Sequence, residues 1–210
     1  MSAVELIGLA GSLSLLAGWR IYLCVFAAGL GMRFGWVPLP EHLDGLAVIQ
    51  NPWVSGAAFA GLVLELLADK IAWVDSIWDA VHTGIRPIGG ALLSLAIIDP
   101  QDQVWQMVAF LLGGGMALAS HGAKAGTRAA INLSPEPLSN VVVSSGEDVA
   151  TLGLLAAVLA SPELAVVVCG LLMVGTILLL VMVRRLLRRA RRLFATDASE
   201  DPQRGGSQPN

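Results

Sequence analysis

Six stretches of this chain are apolar over helical lengths, and short polar or proline-containing signals separate them. The first covers residues 3–35 and stops at "WVPLP". The second opens at Asn51-Pro52, a capping residue followed by a proline suited to the first helical position, and runs to about residue 73. The third starts near Asp75-Ser76 and ends before Asp99-Pro100, with Pro87 as the expected kink. The fourth runs from Asp102 to about residue 132. The fifth opens within "SNVVVSSGED", where Ser144 and Glu147 have capping-box spacing, and ends near residue 160. Ser161-Pro162-Glu163 begins the sixth, which passes into "RRLLRRARR" at 184–192. Because about 20 apolar residues cross a bilayer, the pattern predicts an all-α polytopic membrane bundle of about six segments. Residues 1–194 form its transmembrane domain, with an Arg-rich collar at 184–194 and a disordered polar tail over 195–210.

Two segments are longer than a crossing requires. Residues 3–35 and 102–132 each exceed 30 residues, and both are glycine-rich: Gly8, Gly11 and Gly18 in one, Gly113, Gly114, Gly115 and Gly122 in the other. Such segments either tilt strongly or break into half-helices, and glycine near the midpoint favours the break. "GWR" (18–20) and "GAK" (122–124) hold similar places in the two, and "NPWVSG" and "NVVVSSG" open the helices that follow. The matching expectation is two inverted three-segment repeats, 3–98 and 102–185, with broken first helices. Chance similarity among Gly/Ala/Leu/Val-rich helices is its rival.

Composition agrees with the membrane reading. Only 14% of residues are charged, where a soluble domain has about a quarter. The net charge of −3 conceals an asymmetry: the collar holds six of the thirteen basic residues, and residues 1–183 carry six Lys/Arg against thirteen Asp/Glu. An acidic body with a basic collar excludes a nucleic-acid binder. The collar reads as a cytoplasmic stop and a contact for anionic lipid. With six spans and the collar inside, both termini are expected in the cytoplasm and the chain in the inner membrane. The N-terminus lacks a basic n-region, so it does not read as a cleaved signal peptide. Cys24 and Cys169 read as packing residues, and Trp53, Trp73, Trp78 and Trp105 as an interfacial belt.

Against this background the charges inside the apolar segments stand out. Glu65 and Asp69 are i and i+4 on one helix face. Asp75, Asp79, His82 and Arg86 follow 4-3-4 spacing and form one stripe; Asp75 also suits an N-cap. His121, Lys124, Arg128 and Asn132 form a second, basic stripe, ended by "SPEP" with Glu136 in the turn. Arg20 lies deep in the first segment and needs a partner. Glu147 and Asp148, near a helix start, read as capping residues. Ionisable residues at membrane depth are a site hypothesis by default, whereas an ion-pair lattice is the structural alternative. Both readings require the acidic and basic stripes to converge.

"GWRIYLCVFAAGL", "ELLADKIAWVDSIWDAVHTGIRPIGGALL" and "HGAKAGTRAAINLSPEPLSNVVVSSGEDV" together resemble the membrane proteins grouped as domain of unknown function 4126. The resemblance covers about residues 5–185. It implies that the charged positions above belong to that family's characteristic motifs, and it brings no assigned reaction or substrate.

No HExxH, GxSxG, P-loop or CxxC pair is present, so a non-enzymatic role is favoured and no cofactor is implied. The leading expectation is a small secondary transporter, in which Arg20, Lys124 and Arg128 meet an anionic solute and Glu65 or Asp69 carries a coupling proton or cation. A membrane enzyme or flippase acting on a phosphorylated lipid is the first alternative, with Asp79, His82 or Glu136 as metal or proton-transfer groups. A non-catalytic assembly protein is the second. Membrane lipid, a small solute or ion, and further copies of the chain are the partners compatible with this pattern.

Overall fold

The structure is a computed structural model, and it describes residues 2–36, 41–98, 102–131 and 137–197. Six helices account for almost all of it: α1 (Ala3–Arg33), α2 (Pro52–Ala68), α3 (Ala72–Leu95), α4 (Gln103–Ile131), α5 (Pro137–Ala160) and α6 (Pro162–Asp197). A 3-10 helix, Glu41–Gln50, precedes α2. They coincide with the six apolar stretches. Asn51 caps α2 through its side chain, accepting from Trp53 N at 2.9 Å. Ser161 accepts from Leu164 N at 3.2 Å and opens α6. α5 starts earlier than expected, at Pro137, which puts Ser144, Glu147 and Asp148 inside the helix. α3 runs through Pro87 without a break. The tail expected from residue 195 is helical to Asp197 and otherwise lies outside the described residues.

α1, α4, α5 and α6 are each long and apolar enough to cross a membrane. α2 has only 17 residues, and α3 carries the acidic stripe, yet both face the same solvent. On α3, Ile77, Val81, Ile85, Ile88 and Leu92 are exposed while Asp75, Asp79, His82 and Arg86 are buried. A helix with its charges inward and its branched aliphatics outward is inside-out for water and correct for lipid. The protein is a polytopic helical membrane bundle. Cys24 and Cys169 are free and buried, as packing residues should be.

α1 is not a single rod. Arg20 has φ −145° and ψ 70°, non-helical values that divide the helix into a first arm (residues 3–19) and a second arm (21–33). The first arm starts beside Ile98 and Asp102, and Gly8 abuts Val166 near the start of α6. The second arm ends in a groove shared with Leu159 and Ala160, at the end of α5, and Gly29 abuts Ile49 just before α2. Both ends of α1 therefore lie at one end of the bundle, with Arg20 at the tip of a fold-back. At 1.5 Å per residue the first arm brings Arg20 ~26 Å in.

α1 enters and leaves at the same end, so the start of α1 and the far end of α6 lie toward opposite ends of the bundle. The inverted repeat finds no support. Gly11 lies against Met116, Leu15 O accepts from Ser120 Oγ and Trp19 O from Lys124 Nζ, so the first arm and α4 run parallel rather than inverted. α4 itself is unbroken. α3 packs antiparallel to both, with Thr83 beside His121 and Ser14 Oγ donating to Gly90 O at 3.0 Å. Glycine permits this closeness: a Cβ on Gly18 would meet Ala117 O at 2.4 Å, and one on Gly90 would meet Ala117 Cβ at 2.4 Å.

Candidate functional site

The break at Arg20 interrupts the α1 hydrogen-bond ladder and leaves carbonyls at the end of the first arm to be satisfied by other groups. Lys124 Nζ donates to Trp19 O at 3.0 Å, and Arg86 Nη1 reaches Gly18 O at 3.5 Å. Cations at a helix C-terminus are favoured by both the free carbonyls and the helix dipole. The two stripes read from the sequence, one on α3 and one on α4, thus meet at the broken tip of α1.

On one side of this meeting point Arg86 is the hub. Its Nη2 donates to Glu65 Oε1 at 2.5 Å, and its Nη1 reaches Asp79 Oδ1 at 3.3 Å and His121 Nδ1 at 2.6 Å. A guanidinium only donates, so His121 Nδ1 accepts and the ring proton sits on Nε2. That nitrogen faces Asp79 O and Thr83 Oγ1, each at 3.1 Å. Glu65, Arg86 and His121 are no more than 1% exposed. Behind them, His82 stacks on Trp78 and lies 2.9 Å from the Tyr22 hydroxyl, its Nδ1 2.7 Å from Trp78 O.

On the other side Arg20 is the hub. It pairs with Asp69, with Asp148 through Nε at 2.9 Å, and more distantly with Glu65 and Glu147, each at 3.7 Å. Its Nη2 also donates to Ser144 Oγ at 2.8 Å, and that hydroxyl donates to Asp69 Oδ2 at 3.0 Å. Arg128 pairs with Glu147 at 2.9 Å and Asp69 at 3.6 Å, and Lys124 with Glu147 at 3.6 Å and Glu65 at 3.8 Å. Four cations from α1, α3 and α4 thus face five carboxylates from α2, the α2–α3 turn, α3 and α5. Each ion taken from water costs several kcal/mol, which only close pairing and hydrogen bonding offset.

Of the positions singled out in the sequence, Arg20, Glu65, Asp69, Asp79, His82, Arg86, His121, Lys124 and Arg128 all belong to this cluster or its edge. Asn132 and Glu136 lie outside the described residues. Glu147 and Asp148 are not capping residues: they sit a few turns into α5 and answer Arg128 and Arg20. Ser144, Glu147 and Asp148 share one helical face, and that 3-4 spacing within an apolar helix is the signal that would have marked them. Tyr22 and Trp78 were also missed as site neighbours; Trp78 packs on His82, while Trp53, Trp73 and Trp105 are exposed as an interfacial belt should be. Among the described residues no group of three or more His, Cys, Asp or Glu is placed to hold a metal ion.

The family model for Domain of unknown function (DUF4126) matches residues 7–183, a range that contains every member of this cluster. The chain belongs to that family. No curated protein and no solved structure matches it.

Proposed function

We propose that the chain is a small permease of the inner membrane that moves an anionic solute, with its site in the charged cluster at the break of α1. One observation carries this reading: a discontinuous membrane helix whose tip is surrounded by Arg20, Arg86, Lys124 and Arg128, all buried. Non-helical backbone at membrane depth is tolerated where it lines a site, and broken helices are the recurrent substrate-binding device of transporters. Carboxylates between the cations supply exchangeable counter-charge, and Glu65 or Asp69 is suited to carry a coupling proton or cation. The Arg-rich end of α6 lies in the cytoplasm by the positive-inside rule, which puts the N-terminus on the opposite face. Arg184, Arg185, Arg188 and Arg189 are exposed there and face anionic lipid headgroups.

Flux measured in proteoliposomes against a panel of small organic anions and phosphate tests the proposal. Glu65→Gln and Lys124→Ala are expected to abolish uptake, and uptake unchanged in both variants rejects the site. Impermeant thiol labelling of cysteines placed at residues 2 and 197 should modify them from opposite faces. A second reading, an ion-pair lattice in an assembly protein, has its own support: every buried cation already lies within 4 Å of a carboxylate. Arg128→Lys separates the two, because it keeps the charge that a lattice needs and removes the forked donors that an anion site uses. An enzyme or flippase acting on a phosphorylated lipid would use the same cations, and phosphate release by the purified protein is the assay that detects it.

A further inference from the structure

Three cations converge on one oxygen. Glu147 Oε2 lies 2.9 Å from Arg128 Nη2, 3.6 Å from Lys124 Nζ and 3.7 Å from Arg20 Nη2. The cations are at most 3% exposed, whereas the Glu147 side chain is 18% exposed and that of Asp148, paired with Arg20 Nε, is 23% exposed. The anionic lining is thus the part of the cluster that reaches the surface. α5 packs on α1 and α6 and only slightly on α4, and a Cβ added at Gly146 would meet open space. Among the described residues, Arg128 Nε and Nη1 are buried without a hydrogen-bond partner, although Glu147 and Asp69 both pair with Nη2. A buried unsatisfied donor is costly.

We infer that Glu147 is a built-in surrogate ligand, and that the cradle of Arg20, Lys124 and Arg128 takes a small oxyanion of carboxylate or phosphate type when Glu147 withdraws. The inference deepens the permease reading by naming the class of solute and the residue that the solute displaces. Exchange of one anion for another keeps the buried charge balanced throughout, which answers the main energetic objection to emptying such a site. A ligand with more oxygens than a single carboxylate offers at this distance would also satisfy the spare Arg128 donors.

The test is chemical rescue in lipid nanodiscs. Glu147→Ala leaves three cations facing a gap, so its thermal unfolding temperature should rise with sodium acetate or inorganic phosphate and not with sodium chloride at equal ionic strength. Wild type should respond at least tenfold less sensitively, and adding Lys124→Gln to Glu147→Ala should erase the response. Should Glu147→Ala not fold, Glu147→Gln carries the same measurement with the charge alone removed. No oxyanion-specific rise in the folded variant, or a rise that survives Lys124→Gln, overturns the inference. Rescue without flux in proteoliposomes would overturn the permease reading alone; flux without rescue would overturn this site alone.

Discussion

The two sides of the charged cluster are built from the same residue types and differ in closure. Around Arg86, Glu65 and His121 are almost wholly buried, and one guanidinium is held by two carboxylates, an imidazole and a backbone carbonyl. Around Arg20, by contrast, the carboxylates Glu147 and Asp148 reach the surface. The Arg86 side joins α2, α3 and α4 to the break of α1; the Arg20 side joins them to α5. Similar chemistry therefore serves as frame on one side and as an exchangeable site on the other.

Mutations can break that distinction. Glu65→Gln should have the largest effect, because it leaves Arg86 buried with only Asp79 and weakens Arg20 and Lys124 as well. A loss of about 3–5 kcal/mol is expected from such an uncompensated buried charge, measured by equilibrium unfolding in mixed micelles. Arg86→Lys should follow at about 2–3 kcal/mol, since a point ammonium cannot reproduce the forked contacts of the guanidinium. Arg128→Lys should change stability much less. Equal losses in the two lysine variants would erase the contrast between frame and site. Glu147→Gln should cost less than Glu65→Gln, as its side chain is 18% exposed where that of Glu65 is fully buried, while its effect on anion binding is large. Tyr22→Phe, which removes one hydrogen bond to His82 at the edge of the frame, should cost about 0.5–1.5 kcal/mol. A larger loss there would extend the frame to include His82.

The helices and most of the cluster were legible in the chain because both rest on local periodicity. Asn51-Pro52 and Ser161-Pro162 announce helix starts, and the 4-3-4 stripe of α3 is unambiguous once lipid is the solvent. The direction of α1 was not legible. Its apolar run has the length of a tilted span, and α4 is also glycine-rich near its midpoint yet stays unbroken. What distinguishes α1 is tertiary: Arg86 and Lys124 accept the task of satisfying carbonyls at its break, and Asp69 and Asp148 anchor Arg20 there. The role of Glu147 was hidden by a boundary error. A capping pattern at Ser144 suggested a helix start, and the true start several residues earlier turns the same residues into a buried face.

The fold-back of α1 sets an order on biosynthesis. The groups that meet Gly18 O and Trp19 O lie 68 and 105 positions further along the chain. A ribosome releases α1 into the bilayer long before it makes them, so the hairpin cannot be completed until α4 has emerged. Nascent chains arrested before Lys124 should therefore carry α1 in a different arrangement from finished protein, and site-specific glycosylation or thiol protection on arrested chains would register the rearrangement.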